Sequence, residues 1–281
     1  MGRLTARRRV VRSAADGSRV TRVDSLAVEE PLEVRRGADV LNVTMRTPGD
    51  DFDLVAGWLV SEGLVRSSGD LVAASYCPGT DEQGHQTYNV VEVVLADGVG
   101  VDRPQRSTWT SSACGVCGTA SLDAVRVTSP YDVAGDALVV DGTVLASLPD
   151  RLREAQRVFD RTGGLHAAGL FAPDGTLLCA REDVGRHNAV DKVVGWAVRD
   201  GRLPLRGTVL QVSGRASFEL VQKAVVAGIP VLSAVSAPSS LAAELAEESA
   251  LTLAGFVRAG GFNLYSRPER VPERVTGPAE C

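Results

Sequence analysis

The 281-residue sequence contains no uncharged apolar run of the roughly 20 residues that a membrane-spanning helix needs. It has no surplus of positive charge. Thirty Lys and Arg face 35 Asp and Glu, for a net charge of −5, which removes the electrostatic basis of a general nucleic-acid binder. Cysteine is scarce and odd in number: five in a chain this long do not make a secreted disulfide framework. No glycine-rich Walker loop and no GxGxxG occurs, so a nucleotide triphosphatase or a dehydrogenase has no motif behind it. No Ser or Cys nucleophile elbow accompanies the histidines. Arg7-Arg8-Arg9 raises a twin-arginine export signal, but the polar stretch Ser13 to Ser18 stands where its apolar region should be. A cytoplasmic, reducing location is therefore expected, with no membrane and no nucleic-acid partner. What remains is an ordinary globular composition, 44% apolar and 23% charged, enough for one or two domains.

Two of the five cysteines sit together in Ser111-Ser112-Ala113-Cys114-Gly115-Val116-Cys117-Gly118-Thr119. The segment before reads as extended, and Thr119 to Val125 reads as a short helix with Leu122 and Val125 on one face. The thiols are thus expected near a helix N-terminus, whose partial positive charge favours a thiolate. Glycines 115 and 118 leave the sulfurs approachable. A structural zinc site needs two such pairs, and Cys77, Cys179 and Cys281 are scattered singly. A deaminase-type zinc site needs a His-x-Glu or Cys-x-Glu upstream and a proline where Ala113 stands; neither is present. No metal is expected. A redox or sulfur-carrying dithiol survives.

Residues 1–19 are basic and aperiodic and read as a flexible arm. From Val20 to Thr47, alternating apolar residues predict short strands broken at Pro31 and Gly37. Asp50 or Asp51 is the expected cap of a helix with Phe52, Val55, Trp58 and Leu59 on its apolar face, ending near Gly63. Tyr88 to Leu95 reads as a buried strand, and Asp150 to Arg161 as a helix. A hairpin is expected over 167–179 around Pro173-Asp174-Gly175. Helices over 186–198, 218–227 and 240–250 then alternate with strands over 208–212, 230–235 and 251–257. Such alternation predicts a mainly parallel sheet with helices on both faces. The expected domains are an α+β unit over 20–135, ending in the CxxC loop, and an α/β unit over 136–281.

Ligands of such sheets gather beyond the carboxyl ends of the strands. Three loops there feed helices: Arg181 to Asn188, containing Arg186 and His187; Ser213-Gly214-Arg215; and Ser236 to Ser240. Taken singly, Ser or Asp before a helix is a cap worth about 1 kcal/mol. Asn188 with Lys192, or His187 with Asp191, would be an ordinary surface pair one helical turn apart. Together, three loops with Arg186 and Arg215 at one edge have the composition of a phosphate-binding rim. His166 and His187 are candidate acid/base groups.

The combination of Ser112-Ala-Cys114-Gly-Val-Cys117-Gly118, Thr162-Gly-Gly-Leu-His166, the run Arg181 to Lys192, Ser213-Gly-Arg215 and Gly255-Phe-Val-Arg258 resembles the FdhD family of formate dehydrogenase accessory sulfurtransferases. The resemblance implies a protein that accepts sulfur from a cysteine desulfurase and passes it to the bis-guanine-dinucleotide molybdenum cofactor, a bound substrate, before formate dehydrogenase receives it. It also implies a homodimer, and a second domain with the cytidine deaminase fold without its zinc ligands. The persulfide-bearing cysteine falls on Cys114, with Cys117 as its partner. The cofactor-contacting segment falls on Phe256, Val257, Arg258, Ala259, Gly260 and Gly261. Family members often carry a polar or basic residue where Ala259 or Gly261 stands, which implies backbone contacts here. Two other classes compete: a carrier that binds the cofactor and hands it on, and a plain disulfide oxidoreductase without a thioredoxin-like surround.

Overall fold

The computed structural model describes residues 4–80, 84, 86–99 and 129–273. It opens on a hairpin, β1 (Thr5–Ser13) against β2 (Arg19–Ala27). Strand β1 and the start of β2 stand where a flexible arm was expected over residues 1–19. Asp16 accepts the Ser18 N–H at 2.9 Å and Gly17 adopts φ 84°, so the Asp-Gly pair closes the ribbon. Arginines obscured the alternation, because both ribbon faces carry them.

A four-stranded sheet follows, with strand order β4-β3-β6-β5, made of β3 (Glu30–Arg36), β4 (Asp39–Arg46), β5 (Leu71–Tyr76) and β6 (Val90–Leu95). Pro31 lies inside β3 instead of breaking it. Its missing N–H costs nothing there, because β6 pairs with β3 only from Glu33 onward. Strand β5 is not anticipated by the sequence reading, since Val72 and Ala73 are both exposed at a register shift and blur the alternation. Helix α1 (Asp51–Ser61) lies on this sheet. Neither Asp50 nor Asp51 caps it through a side chain. Asp51 is instead buried against Arg46 at 3.0 Å and accepts the Tyr76 hydroxyl at 2.9 Å.

The second sheet has strand order β12-β11-β10-β9-β7-β8. Its strands are β7 (His166–Phe171), β8 (Leu177–Asp183), β9 (Val209–Val212), β10 (Val231–Ala234), β11 (Thr252–Arg258) and β12 (Gly261–Ser266). Its helices are α2 (Gly142–Ala155), α3 (Phe159–Thr162), α4 (Arg186–Arg199), α5 (Phe218–Val226) and α6 (Ser240–Glu248). Helix α2 starts eight residues earlier than the sequence reading has it, where Asp141 accepts the Thr143 N–H at 2.7 Å. Only β9, β10 and β11 run parallel; β7, β8 and β12 are antiparallel to their neighbours. The sheet is mixed, not mainly parallel. The crossover α4 does join two parallel strands, β8 and β9, but β7 lies between them and makes both of its ladders antiparallel. Strand β12, also unanticipated, folds back on β11.

Alternate residues of the parallel strands face opposite ways, as the two-residue period requires. Leu210, Leu232 and Leu253 join a core with α1, α4, α5 and α6. Val209, Val231 and Ala254 join a smaller core under α2. Helices thus cover both faces. Helix α1 crosses α4 at backbone contact: a Cβ on Gly57 would lie 1.8 Å from the Asp191 carbonyl oxygen. Among the described residues no helix is long and apolar enough to cross a membrane.

Candidate functional site

The topology brings the carboxyl ends of β8 to β11 and the amino end of β7 to one edge. There the loops are stitched side by side. Ser213 N–H donates to the Ala167 carbonyl at 3.0 Å, and its hydroxyl accepts the Ala167 N–H at 2.9 Å. Ser236 N–H donates to Gly214 O at 3.3 Å, and Ser236 O accepts the Phe256 N–H at 3.2 Å. Phe256 is 45% exposed and held at φ 54°, inside a register shift of β11. A left-handed conformation costs a bulky residue on the order of 1–2 kcal/mol, so the surrounding backbone must impose it. Gly255 permits the approach, since a Cβ there would come within 2.9 Å of Pro238 Cδ and 3.0 Å of Tyr265 Cε2.

Arg186 and His187 open α4 at this edge. Arg186 Nε is buried and, among the described residues, has no hydrogen-bond partner. His187 Nε2 lies 2.7 Å from Glu219 Oε2 and 3.3 Å from Ser217 Oγ, both at the start of α5. The His187 hydrogen bond holds the Glu219 carboxyl below the ordinary glutamate range. His166 is half-buried beside Gly214. Burial first, then the charges of Arg186 and His187, push its imidazole below the ordinary value of 6.5. It is therefore neutral at pH 7 and can accept or donate one hydrogen bond at each nitrogen. An NMR titration should find the His166 midpoint under that of an exposed histidine, and Arg186→Ala should raise it. A midpoint unmoved by the substitution would contradict the proximity of the two groups.

Arg186, His187, Ser213, Arg215, Ser236 and Phe256 thus share one edge. Arg215, Arg258, Ala259 and Gly260 are exposed and Gly261 is half-buried, the last four at the β11–β12 turn. Val257 differs: its side chain is fully buried in the core under α2, so only its backbone is available to a ligand. Glu219, which the sequence reading does not single out, belongs to the site through His187. Only the proximity of α5 to α4 reveals it.

The long run Arg181 to Lys192 serves the fold more than the rim. Asn188, Asp191 and Lys192 are buried, not a surface array. Asp183 accepts hydrogen bonds from Thr47 N–H at 3.1 Å, Gly185 N–H at 2.8 Å and Asn188 Nδ2 at 3.0 Å, and pairs with Lys192 Nζ at 2.8 Å. Asp191 binds Lys223 Nζ at 2.7 Å and the Ser61 hydroxyl at 2.6 Å. Arg181 pairs with Asp53 of α1 at 2.8 Å. Glu182 takes the N–H groups of Val158 and Phe159 at 2.9 and 2.8 Å. Lys192 and Lys223 are the only lysines in the chain; Lys192 reaches the Thr47 carbonyl at 2.9 Å, and Lys223 of α5 holds Asp191 of α4, which in turn binds Ser61 of α1. Such fully satisfied buried pairs do little net stabilising, but removal of one partner is costly.

Cys114 and Cys117 lie outside the described residues, as do the loop and helix expected around them and Cys281. Cys179 is buried in the sheet, and burial pushes its thiol up to about 12, so it stays protonated and inert. Cys77 is a free, half-buried thiol.

Residues 27–272 match the model of the FdhD/NarQ family. Curated relatives bear the name sulfur carrier protein FdhD. That of Nocardia farcinica is 57% identical over 270 residues, 96% of each chain. That of Streptomyces coelicolor is 57% identical over 278 residues, 98% of each chain. A crystal structure from Desulfotalea psychrophila, described as a putative formate dehydrogenase accessory protein, superposes with a TM-score of 0.75 at 24% identity, covering 96% of this chain and 100% of that one. The chain belongs to the FdhD/NarQ family.

Proposed function

We propose that the protein is a sulfurtransferase serving formate dehydrogenase, as the name sulfur carrier in its relatives suggests. It takes sulfur from a cysteine desulfurase on Cys114 and delivers it to the bis-guanine-dinucleotide molybdenum cofactor, which is bound as substrate at the rim. The cytoplasm, two copies of the chain and a cytidine-deaminase-like second domain complete the reading. The observation that carries it is the rim itself. Arg186, whose buried Nε has no hydrogen-bond partner among the described residues, shares one sheet edge with His187, Arg215 and the strained, exposed Phe256. That edge supplies a guanidinium for a phosphate, a helix start for its negative charge and an aromatic face for a base.

In the proposed chemistry the Cys114 thiolate attacks the outer sulfur of the donor's persulfide. The donor's S–S bond breaks, the donor leaves as a thiolate, and Cys114 becomes the persulfide. Delivery uses the two protein thiols as reductant. Cys117 attacks the inner sulfur, a Cys114–Cys117 disulfide forms, and hydrosulfide leaves toward the metal. An external dithiol then restores the pair.

Mass spectrometry after incubation with a desulfurase and cysteine tests the reading, since a pure cofactor carrier never gains the extra sulfur. The rim is tested separately with guanosine diphosphate, which stands for half of the cofactor. Arg215→Ala and Arg186→Ala should each weaken its binding by about 1.5–3 kcal/mol, the scale of a charged hydrogen bond. Calorimetry that finds both variants unchanged sinks the phosphate assignment.

A further inference from the structure

The β1–β2 ribbon is outside the site, and all but its last residue lies outside the stretch matched to the family, which begins at residue 27. Each strand has nine residues, so the ribbon is roughly 30 Å long at about 3.3 Å per residue. Among the described residues it is held near its base: Leu4 lies at the Gly49 turn, Ala27 at Gly164, and β2 packs on α3. A two-stranded ribbon alone is marginal in water, yet Val11, Val20 and Val23 are 62–64% exposed. The register divides its side chains cleanly. Arg7, Arg9, Val11, Arg19, Thr21 and Val23 share one face, which carries no acid. The other face holds Arg8, Arg12 and Arg22, with Asp24 lying 3.5 Å from Arg22.

We propose that the acid-free face of this ribbon docks on the body of a second copy of the chain. Charge complementarity favours this occupant. Residues 5–27 hold six arginines and two aspartates, a net +4, whereas the whole chain is net −5, which leaves the remainder at −9 against a basic arm. Ribbon-to-ribbon pairing sets like charges together and is disfavoured. Val11 and Val23, exposed between the arginines of that face, gain from a partner that excludes water, which a protein surface supplies and a phosphate backbone does not. Two arms exchanged about a two-fold axis make the contact twice. The proposal rests on the two-copy part of the functional reading and names the surface that holds the copies.

Sedimentation of the full chain over a range of concentrations tests it. The wild type should dimerise. Raising ionic strength from about 0.1 to 1 M shortens the screening length from roughly 10 to 3 Å and should weaken the dimer. Reversing Arg7, Arg9 and Arg19 to Glu should raise the dimer dissociation constant at least tenfold. The same reversal of Arg8, Arg12 and Arg22 should do markedly less, and circular dichroism and persulfide loading should be unchanged in both. A photo-crosslinker at position 21, in mixed isotopically heavy and light protein, should join the ribbon to acidic peptides of the other copy. A dimer indifferent to the first reversal overturns the ribbon proposal and leaves the two-copy reading intact. A monomeric wild type overturns both. Crosslinks confined to one chain, or ribbon-dependent binding to duplex DNA or anionic vesicles without self-association, assign the ribbon elsewhere and overturn the proposal.

Discussion

Gly195→Ala is expected to cost at least about 3 kcal/mol of stability, a large part of the 5–15 kcal/mol of an ordinary domain. A Cβ at position 195 would lie 1.7 Å from the Asp53 carbonyl oxygen and 2.7 Å from the Gly57 nitrogen. Both obstacles are backbone, so no side chain can rotate away. Relief requires α1 and α4 to part. That movement pulls on Asp53 with Arg181, on Ser61 with Asp191 and on Thr47 with Asp183. Charged groups would be left buried without partners, which adds to the overpacking. Gly69→Ala is the control, since the nearest atom to its Cβ would be Ser67 Oγ at 3.8 Å. Urea denaturation should separate the two variants plainly. A Gly195→Ala midpoint equal to that of the control would refute contact between the helix backbones.

Cys114→Ala should abolish sulfur acceptance and activation of formate dehydrogenase while guanosine diphosphate binding persists. The rim is built from α4, the loops after β9 and β10 and the bulge of β11, none of which includes the cysteine loop. Cys117→Ala should impair delivery at least as much as loading, because it removes the second thiol of the reductive step. Cys179→Ala should leave transfer intact: burial keeps that thiol protonated, with its pKa at about 12. Cys77 and Cys281 stand apart from the pair in sequence, and their replacement should have little effect. The readout is radiolabelled sulfur on the protein, beside formate dehydrogenase activity in cells carrying each variant. Full labelling and activity of the Cys114 variant would refute the mechanism whatever the state of the rim.

Much of the fold was open to reading because its periods are local. Helix α4 was expected over 186–198 and spans Arg186–Arg199. Strands β9 and β10 and helices α5 and α6 fall within about two residues of expectation. Each is a run whose apolar spacing and flanking turn residues suffice. Elements with half-exposed sides were harder. Strands β1 and β5 carry arginine or valine on the wet side, and β12 alternates around a tight turn, so none gave a clean period.

By itself the sequence determined the helix and strand segments of the second half, the family, and the set of loops from which the rim is made. These follow from neighbours along the chain: apolar period, turn chemistry and motif spelling. The tertiary structure alone decided three things. It seated β9 against β7, which makes the sheet mixed, because pairing depends on which strand edge is free. It turned Asp183, Asn188, Asp191 and Lys192 inward, because α1 covers α4 with a backbone contact that only Gly57 and Gly195 allow. And it left Arg186 and His187 on the rim, with Glu219 brought to His187 from another helix. Partners 32 residues apart in sequence meet only after the sheet has set the spacing of its crossovers, which no local pattern encodes.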